Sequence, residues 1–246
     1  MATYRGIIFI KGTIGGINFY DRLGKPTLRE GGGGFTREAI KNSPRMVRVR
    51  ENNDEFSEAS RTNKYFKRSI RPFTIGYKDG TLHSRLMQLF TRIKDADLVS
   101  KRGERQVSLG MATDTGKHLL THFVFTPKRP NLFPCNYAFD WDSLTLHVTG
   151  FQAAHAGFPK EASYMEVLLG LVRFDFETKN YTQVIEAPLI LERDYMGDAF
   201  SIPVSALPSG TGTVFAIARV AFYQMVNGEG YMLSGGHAFG VQVVGI

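Results

Sequence analysis

The segment "GTVFAIARVAFYQMVNGEGYMLSGGHAFGVQVVGI", residues 212–246, decides the fold class of this chain. From Val214 to Tyr223, successive residues point to two alternating faces, and both faces are partly apolar, which is typical of a long strand. The "NGEG" at 227–230 has the chemistry of a tight hairpin turn, and a further strand reaches the last residue. The segment therefore predicts antiparallel pairing of successive strands.

Strand-like runs alternate with turn clusters at short spacing over residues 106–246. We predict strands near 106–111, 117–125, 133–139, 143–149, 163–175, 181–192, 199–204, 213–226, 229–233 and 237–245. This spacing predicts an antiparallel β-sandwich that is immunoglobulin-like in size and strand count. Cys135 is the single cysteine, so the disulfide of antibody domains is absent and the analogy concerns architecture alone.

The sequence pattern of the N-terminal part differs from that of residues 106–246. We expect three regions: an arm at 1–34, a basic helical segment at 35–105 and the β-sandwich at 106–246. The expected class is mainly β with an N-terminal helical segment, α+β. The strand-like runs "GIIFIK" (6–11), "INFYDR" (17–22) and "TLRE" (27–30) form a ribbon with little to bury itself against. The residues expected to anchor this ribbon on a neighbouring copy are Ile7, Ile8, Phe9, Ile17, Phe19 and Tyr20. A hinge is expected at Gly31, Gly32, Gly33 and Gly34, because glycine runs lose much backbone entropy when ordered.

A helix with clear punctuation follows the glycines. Ser43 is a suitable N-cap, Pro44 suits the first helical position, and Pro72 ends the segment. The apolar face of this helix is predicted to carry Val49, Phe56, Ala59, Phe66 and Ile70. A second helix is predicted over residues 80–95, where leucines recur at helical spacing.

Charge is distributed unevenly along the chain. Residues 1–105 carry 22 Lys and Arg against 11 Asp and Glu, whereas residues 106–246 carry 8 against 12, so a net charge of +11 precedes one of −4. A basic half can bind phosphates, or it can bind the acidic half of another copy. The candidate nucleic-acid-binding residues lie at the end of the first helix: Arg61, Lys64, Lys67, Arg68 and Arg71. Cations at a helix C-terminus also stabilise the helix itself, so both explanations stay open.

Other chemistry has weak signals. His118 and His122 lie four apart in a run predicted to be a strand, which separates them too far to share one metal ion, and no metal-binding motif is present. Asp140 and Asp142 flank Trp141, which suggests either a carbohydrate site or a strand end with a core tryptophan. We expect no cofactor, no metal and no small-molecule substrate. No apolar run is long enough to span a membrane and no secretory signal is evident, so synthesis in the cytoplasm is expected, with later release or incorporation into a particle left open.

Four motifs resemble those of a family of uncharacterised proteins from Bacteroidetes-type bacteria. They are "KGTIGGINFY" (11–20), "REGGG" (29–33), "SPRMVRVRENNDEF" (43–56) and, more loosely, "YQMVNGEGY" (223–231). The resemblance implies a glycine-containing ribbon, a helix and a β-rich C-terminal domain. It implies a bacterial origin and no particular activity.

These features favour a non-enzymatic structural protein that self-assembles as a filament, tube, sheath or virion-like component. The expected mechanism is strand addition, in which the ribbon of one copy pairs with an exposed sheet edge of the next copy. The first alternative is a nucleic-acid-binding protein that uses the basic helix. The second is a carbohydrate-binding β-sandwich centred on Trp141.

Overall fold

The computed structural model describes residues 10–31 and 36–246, together with the backbone of residues 2–3. The chain mixes helices with antiparallel strands, at 30% helix and 32% strand. It divides into two compact units, Met1–Asp54 and Glu55–Ile246, and the boundary between them falls inside a long helix.

The first unit contains a four-stranded antiparallel sheet. Its strands are β1 (Ala2–Thr3), β2 (Gly12–Ile14), β3 (Ile17–Arg22) and β4 (Lys25–Glu30), in the spatial order β1-β4-β3-β2. The turn between β3 and β4 is closed by Asp21, whose Oδ1 accepts a hydrogen bond from the Gly24 amide at 2.7 Å. The predicted ribbon is therefore a small sheet of its own.

The predicted helix after the glycines is confirmed. A short helix α1 (Arg37–Asn42) and a 3₁₀ turn (Pro44–Met46) precede the long helix α2 (Val47–Ser69). Ser43 caps the 3₁₀ turn by accepting a hydrogen bond from the Arg45 amide at 3.3 Å. Local capping chemistry thus sets this helix start, as the sequence predicted.

The helices of the second unit are the rest of α2, α3 (Arg71–Thr74), α4 (Leu82–Asp95), α5 (Val107–Met111) and α6 (Asp114–Thr121). The strands predicted at 106–111 and 117–125 are wrong, because α5 and α6 occupy those positions. Thr113 caps α6 by accepting a hydrogen bond from the Gly116 amide at 3.1 Å. Short apolar runs do not distinguish a buried helix from a buried strand, which explains the error.

The strands of the second unit form two antiparallel sheets. The three-stranded sheet has the order β10-β6-β5, with β5 (Asn136–Asp140), β6 (Thr145–Thr149) and β10 (Ala199–Pro203). The six-stranded sheet is built on β7 (Tyr164–Phe174) and β11 (Thr213–Val226), which pair along their length. β8 (Tyr181–Ile185) and β9 (Leu189–Glu192) pair with β7, whereas β12 (Glu229–Met232) and β13 (Phe239–Gly245) pair with β11.

The six-stranded sheet is the middle of three layers, because both of its faces are buried. On β11, Phe215 and Ile217 face a core shared with the helices, whereas Ala216 and Ala218 face a core shared with the three-stranded sheet. This explains why the alternating residues of this segment are apolar on both sides. The sheet also curls, so that the Tyr137 hydroxyl on β5 donates to Gln242 Oε1 on β13 at 2.6 Å.

Phe66 of α2 is central to the helix-facing core. It is 0% exposed, and its ring centroid lies 5.1 Å from that of Phe90, 5.6 Å from that of Phe215 and 5.7 Å from that of Phe174. Ala59 and Ile70 are buried with it, but Phe56 is 61% exposed and the prediction that it belongs to the buried face is wrong. Polar side chains take part of that face instead.

Candidate assembly surface and basic helix

The N-terminal sheet has one apolar face and one polar face. Strand register places Ile14 opposite Ile17 and Phe19 opposite Leu28, and directly opposed residues share a face of an antiparallel sheet. The other face carries mainly polar residues. Its members are Thr13, Asn18, Tyr20, Thr27 and Arg29. Glu30, opposite Ile17, and Asp21, opposite Pro26, lie on the same face as the apolar residues, so that face is apolar between a carboxylate at each end.

The apolar face retains substantial exposure. Ile14 is 58% exposed and Ile17 is 39% exposed, while Phe19 and Leu28 are half-buried. Thr27, on the polar face, is buried at 4% exposure. Within the described part of this sheet, the least exposed side chain therefore lies on the polar face. A sheet that packs on a core usually buries its apolar face instead. Contiguous exposed apolar residues of this kind mark interaction surfaces.

The structure separates the predicted self-association residues. Ile17 and Phe19 lie on the apolar face, whereas Tyr20 lies on the polar face with the Arg29 guanidinium 5.8 Å from its ring centroid. The predicted anchors Ile7, Ile8 and Phe9 lie outside the described residues.

Ile14 and Leu28 belong to the apolar face, and the sequence analysis missed both. Period-two alternation counted outward from the two hairpin turns would have placed them there.

The predicted hinge glycines fall mostly outside the described residues, which applies to Gly32, Gly33 and Gly34. Gly31 is described, and its amide donates to the Gly16 carbonyl at 2.5 Å. A Cβ at position 31 would lie 2.9 Å from that same oxygen. Gly31 thus ends the sheet with a close backbone contact to the turn between β2 and β3.

The five predicted basic residues are all exposed, and four of them follow helical spacing along one surface. These four are Arg61, Lys64, Arg68 and Arg71, with Lys67 beside them. The Arg61 guanidinium lies 3.4 Å from the Glu58 carboxylate. We call these five residues the basic stripe.

Tyr65 lies within the basic stripe and carries two cations against its ring. Lys64 Nζ lies 5.6 Å and the Arg68 guanidinium carbon 5.3 Å from the ring centroid. Phe66 is buried, so Tyr65 is the aromatic residue that accompanies the exposed charges.

The carboxylates beside Trp141 have structural partners. Asp140 Oδ1 accepts from the Asp142 amide at 3.1 Å, and Oδ2 accepts from the Ser143 hydroxyl at 2.6 Å, which closes the turn between β5 and β6. These hydrogen bonds hold the pKa of Asp140 below its ordinary value. Trp141 is half-buried, with its ring edge-on to Phe139 at 4.8 Å between centroids. This geometry fits a folded hairpin, in which Asp140 is held by the turn.

The geometry expected for the histidine pair is also corrected. His118 and His122 lie on and just after α6, so their rings are close, with centroids 4.0 Å apart and planes tilted by 34°. His122 Nδ1 lies 3.0 Å from the His118 carbonyl oxygen. Across the described ranges, no three His, Cys, Asp or Glu side chains cluster closely enough to hold a metal ion.

Comparisons with known proteins return no matching family model, no matching curated protein and no matching solved structure. Within residues 10–31 and 36–246, the structure contains no helix of the length and apolar character needed to cross a membrane.

Proposed function

We propose that this chain is a non-enzymatic structural subunit that self-assembles, and that the apolar face of the N-terminal sheet docks on a second copy of the chain. The exposed pair Ile14 and Ile17 carries this proposal, because burial in an interface would remove both side chains from water. Each fully buried isoleucine contributes about 1.5–3 kcal/mol. Burial of two such residues would contribute at least as much free energy as one hot-spot residue of a protein–protein interface, about 2 kcal/mol.

The proposed acceptor is the β8 edge of the next copy. β8 is a terminal strand of the six-stranded sheet, and its sequence "YTQVI" has neither a charge nor a proline, the usual protections of an edge strand. Tyr181 is 37% exposed. The edge strand β2, which carries Ile14, would pair with this edge, and the adjoining apolar face would then lie against the neighbouring copy.

Charge complementarity supports a second copy as the partner. The first unit carries 10 Lys and Arg against 5 Asp and Glu, whereas residues 106–246 have a net charge of −4. Glu177 and Glu186 flank the β8 edge, and opposite charges favour this pairing over a like-with-like contact. A head-to-tail contact of this type produces an open polymer unless its rotation closes a ring.

The test is a pair of matched double variants measured by light scattering. Ile14→Asp with Ile17→Asp places charges on the apolar face, and Thr13→Asp with Asn18→Asp places the same charges on the polar face of the same strands. We expect the apolar-face variant to weaken association about a hundredfold or more, because about 3–6 kcal/mol of burial is lost. We expect the polar-face variant to associate about as strongly as the intact chain.

Truncation provides an independent arm of the same test. Deleting residues 1–34 should leave a folded monomer, with folding checked by circular dichroism. Assembly of the truncated chain, equal assembly of both double variants, or a monomeric intact chain at high concentration would each contradict the proposal.

The immunoglobulin-like assignment remains a finer proposal about the fold. The three-stranded sheet packs on one face of the six-stranded sheet, which supports a sandwich. Helices cover the opposite face of the six-stranded sheet. An experimental structure that matched the strand order of immunoglobulin domains would support this assignment, and a different order would exclude it.

A second candidate function is nucleic-acid binding through the basic stripe, favoured by its five exposed cations, of which Lys64 and Arg68 lie against the Tyr65 ring. The matched variants are Lys64→Glu with Lys67→Glu, and Lys101→Glu with Lys117→Glu elsewhere on the chain. Fluorescence anisotropy with a labelled oligonucleotide should show binding that falls steeply with salt and is lost mainly in the first pair. Equal loss in both pairs would indicate nonspecific charge attraction.

A further inference from the structure

Arg129 is a half-buried arginine whose position is set by its neighbours. Its guanidinium carbon lies 4.9 Å from the ring centroid of Phe222, on the face of the six-stranded sheet that is covered by the three-stranded sheet. A Cβ at Gly240 would lie 3.0 Å from Arg129 Cδ, and one at Gly157 would lie 3.5 Å from Arg129 Nη1. The contact at Gly240 is tight and the one at Gly157 is ordinary, so Gly240 is the glycine that leaves room for the Arg129 side chain.

The guanidinium has neutral partners. Nη2 donates to the carbonyls of Leu132 at 2.9 Å and Ala156 at 2.8 Å, and Nη1 donates to the His237 carbonyl at 3.3 Å. Nε is buried and has no acceptor. Burial lowers the pKa of the Arg129 guanidinium to about 10. Removing part of a positive charge from water is costly when carbonyl dipoles alone balance it, and such charges in proteins are often paired with an opposite charge.

Arg129 borders a cavity of about 330 Å³ whose lining contains no carboxylate. Lys128, Asn131, His155 and His237 also line this cavity, so every charged or polar side chain in its wall can donate a hydrogen bond. Phe133 and two prolines complete the lining. The volume suits a small organic ligand, and the wall has an anion-binding part and an apolar part.

Gly236 leaves space for the Lys128 side chain at the cavity. A Cβ at Gly236 would overlap the aliphatic stem of Lys128, so the absence of a side chain at position 236 allows the lysine to lie across it. Gly236 and His237 begin the 3₁₀ turn Gly236–Ala238, which brings the imidazole of His237 to the same wall as Lys128. Sequence position alone would not have joined residues 128–131, 155 and 237.

We propose that this cavity binds a phosphate group, free or as the phosphomonoester of a small molecule. Lys128 provides the mobile charge, Arg129 the fixed charge through its Nη1, and the side chains of Asn131, His155 and His237 provide further hydrogen-bond donors around the oxygens. The dianion supplies the counter-charge that Arg129 lacks. This site does not depend on self-assembly, because all of its residues come from one copy.

Isothermal titration calorimetry on the full chain tests the site with inorganic phosphate and with phenyl phosphate. Titrations run at a fixed ionic strength of about 0.15 M in chloride, so that screening alone produces no signal. We expect saturable binding with a Kd of about 1 mM or tighter, since several charge-assisted hydrogen bonds form. Tighter binding of phenyl phosphate would show that the apolar wall takes the organic group, and equal binding would assign the site to the anion alone.

Lys128→Gln should weaken phosphate binding about tenfold, because one charge-assisted hydrogen bond is lost. His237→Gln should weaken binding by less, and Lys117→Gln, an exposed lysine on α6, should leave binding unchanged. Arg129 is left intact in these variants because it also holds three carbonyl groups. No saturable binding of either probe, or the same affinity in Lys128→Gln and Lys117→Gln, would overturn the proposal.

Discussion

Asp97 is the position at which one substitution tests the structure most directly. This side chain is 2% exposed and follows the end of α4. Its Oδ1 accepts hydrogen bonds from the amides of Val99 and Ser100, each at 3.0 Å, and its Oδ2 accepts from the Gln106 amide at 3.0 Å. One carboxylate thus organises the whole connection between α4 and α5.

Asp97→Asn keeps the shape but removes one acceptor and the charge. With the amide oxygen directed at Val99 and Ser100, the amide nitrogen must face the Gln106 N–H, so two donors meet and neither is satisfied. An unsatisfied buried donor costs about 1–3 kcal/mol, and hydrogen bonds to a charged acceptor are about twice as strong as neutral ones. We expect the free energy of unfolding at pH 7 to fall by about 2–4 kcal/mol.

The pH dependence of this loss follows from the pKa of Asp97. Burial raises that pKa, but the backbone amides of Ser100, Gln106 and Val99 outweigh burial and bring it to about 2, against an ordinary value of 3.8. Because the folded-state pKa is the lower one, the carboxylate stabilises the fold fully above pH 3.8 and loses this contribution as the pH falls toward 2. The difference between these two pKa values corresponds to about 2 kcal/mol of folding stability.

Urea denaturation followed by circular dichroism measures the effect, with Asp142→Asn as the control because Asp142 is exposed. The difference in unfolding free energy between the intact chain and Asp97→Asn should shrink by about 2 kcal/mol between pH 5 and pH 2. The free energy of unfolding of the Asp142→Asn control should stay within about 0.5 kcal/mol of that of the intact chain at every pH. A loss below 1 kcal/mol at pH 7, or a difference that does not change with pH, would refute the described hydrogen bonding.

Two further variants test packing in the helical layer, each by the free energy of unfolding. A Cβ at Gly110 would stand under 3.0 Å from the Ile93 carbonyl oxygen, so Gly110→Ala should destabilise the protein by about 1–3 kcal/mol, whereas Gly80→Ala, with nothing within 4 Å, should not. Equal effects would refute the close contact between α4 and α5. Lys94→Met should cost about 3–5 kcal/mol, because it leaves the buried Glu55 carboxylate without its ion-pair partner. An unchanged free energy of unfolding in Lys94→Met would mean that water, and not Lys94, solvates the Glu55 carboxylate.

Much of the secondary structure was predictable because its signals are local. Ser43 and Pro44 mark the start of the helical segment, and the alternation from Val214 to Tyr223 marks β11. The helical runs near residues 107 and 120 were misassigned, because a few apolar residues fit a strand as well as a helix. Tertiary contacts explain why positions 110 and 116 are glycines. A Cβ at Gly110 would overlap the backbone of Ile93 in α4, and a Cβ at Gly116 would overlap the backbone of Gly110 in α5.

The buried polar residues of α2 show the same limit. Asn63 is 0% exposed, and its Nδ2 donates to the His83 carbonyl at 3.1 Å, twenty residues away. Local periodicity favoured Phe56 for the buried face, but the carbonyl that accepts from Asn63 Nδ2 is brought to it only in the folded chain. Polar burial depends on such partners, and a sequence pattern does not contain them.

The sequence by itself determined the amphipathic character of the N-terminal ribbon, the long helix and the antiparallel strands, because capping residues, turn residues and period-two alternation act over a few neighbouring positions. Only the tertiary structure decided that β11 is covered on both faces, that Phe56 is exposed while Asn63 is buried, and that Lys128, Arg129 and His237 meet at one cavity. Those outcomes depend on strand register and on contacts between residues far apart in the chain, which local propensities do not encode.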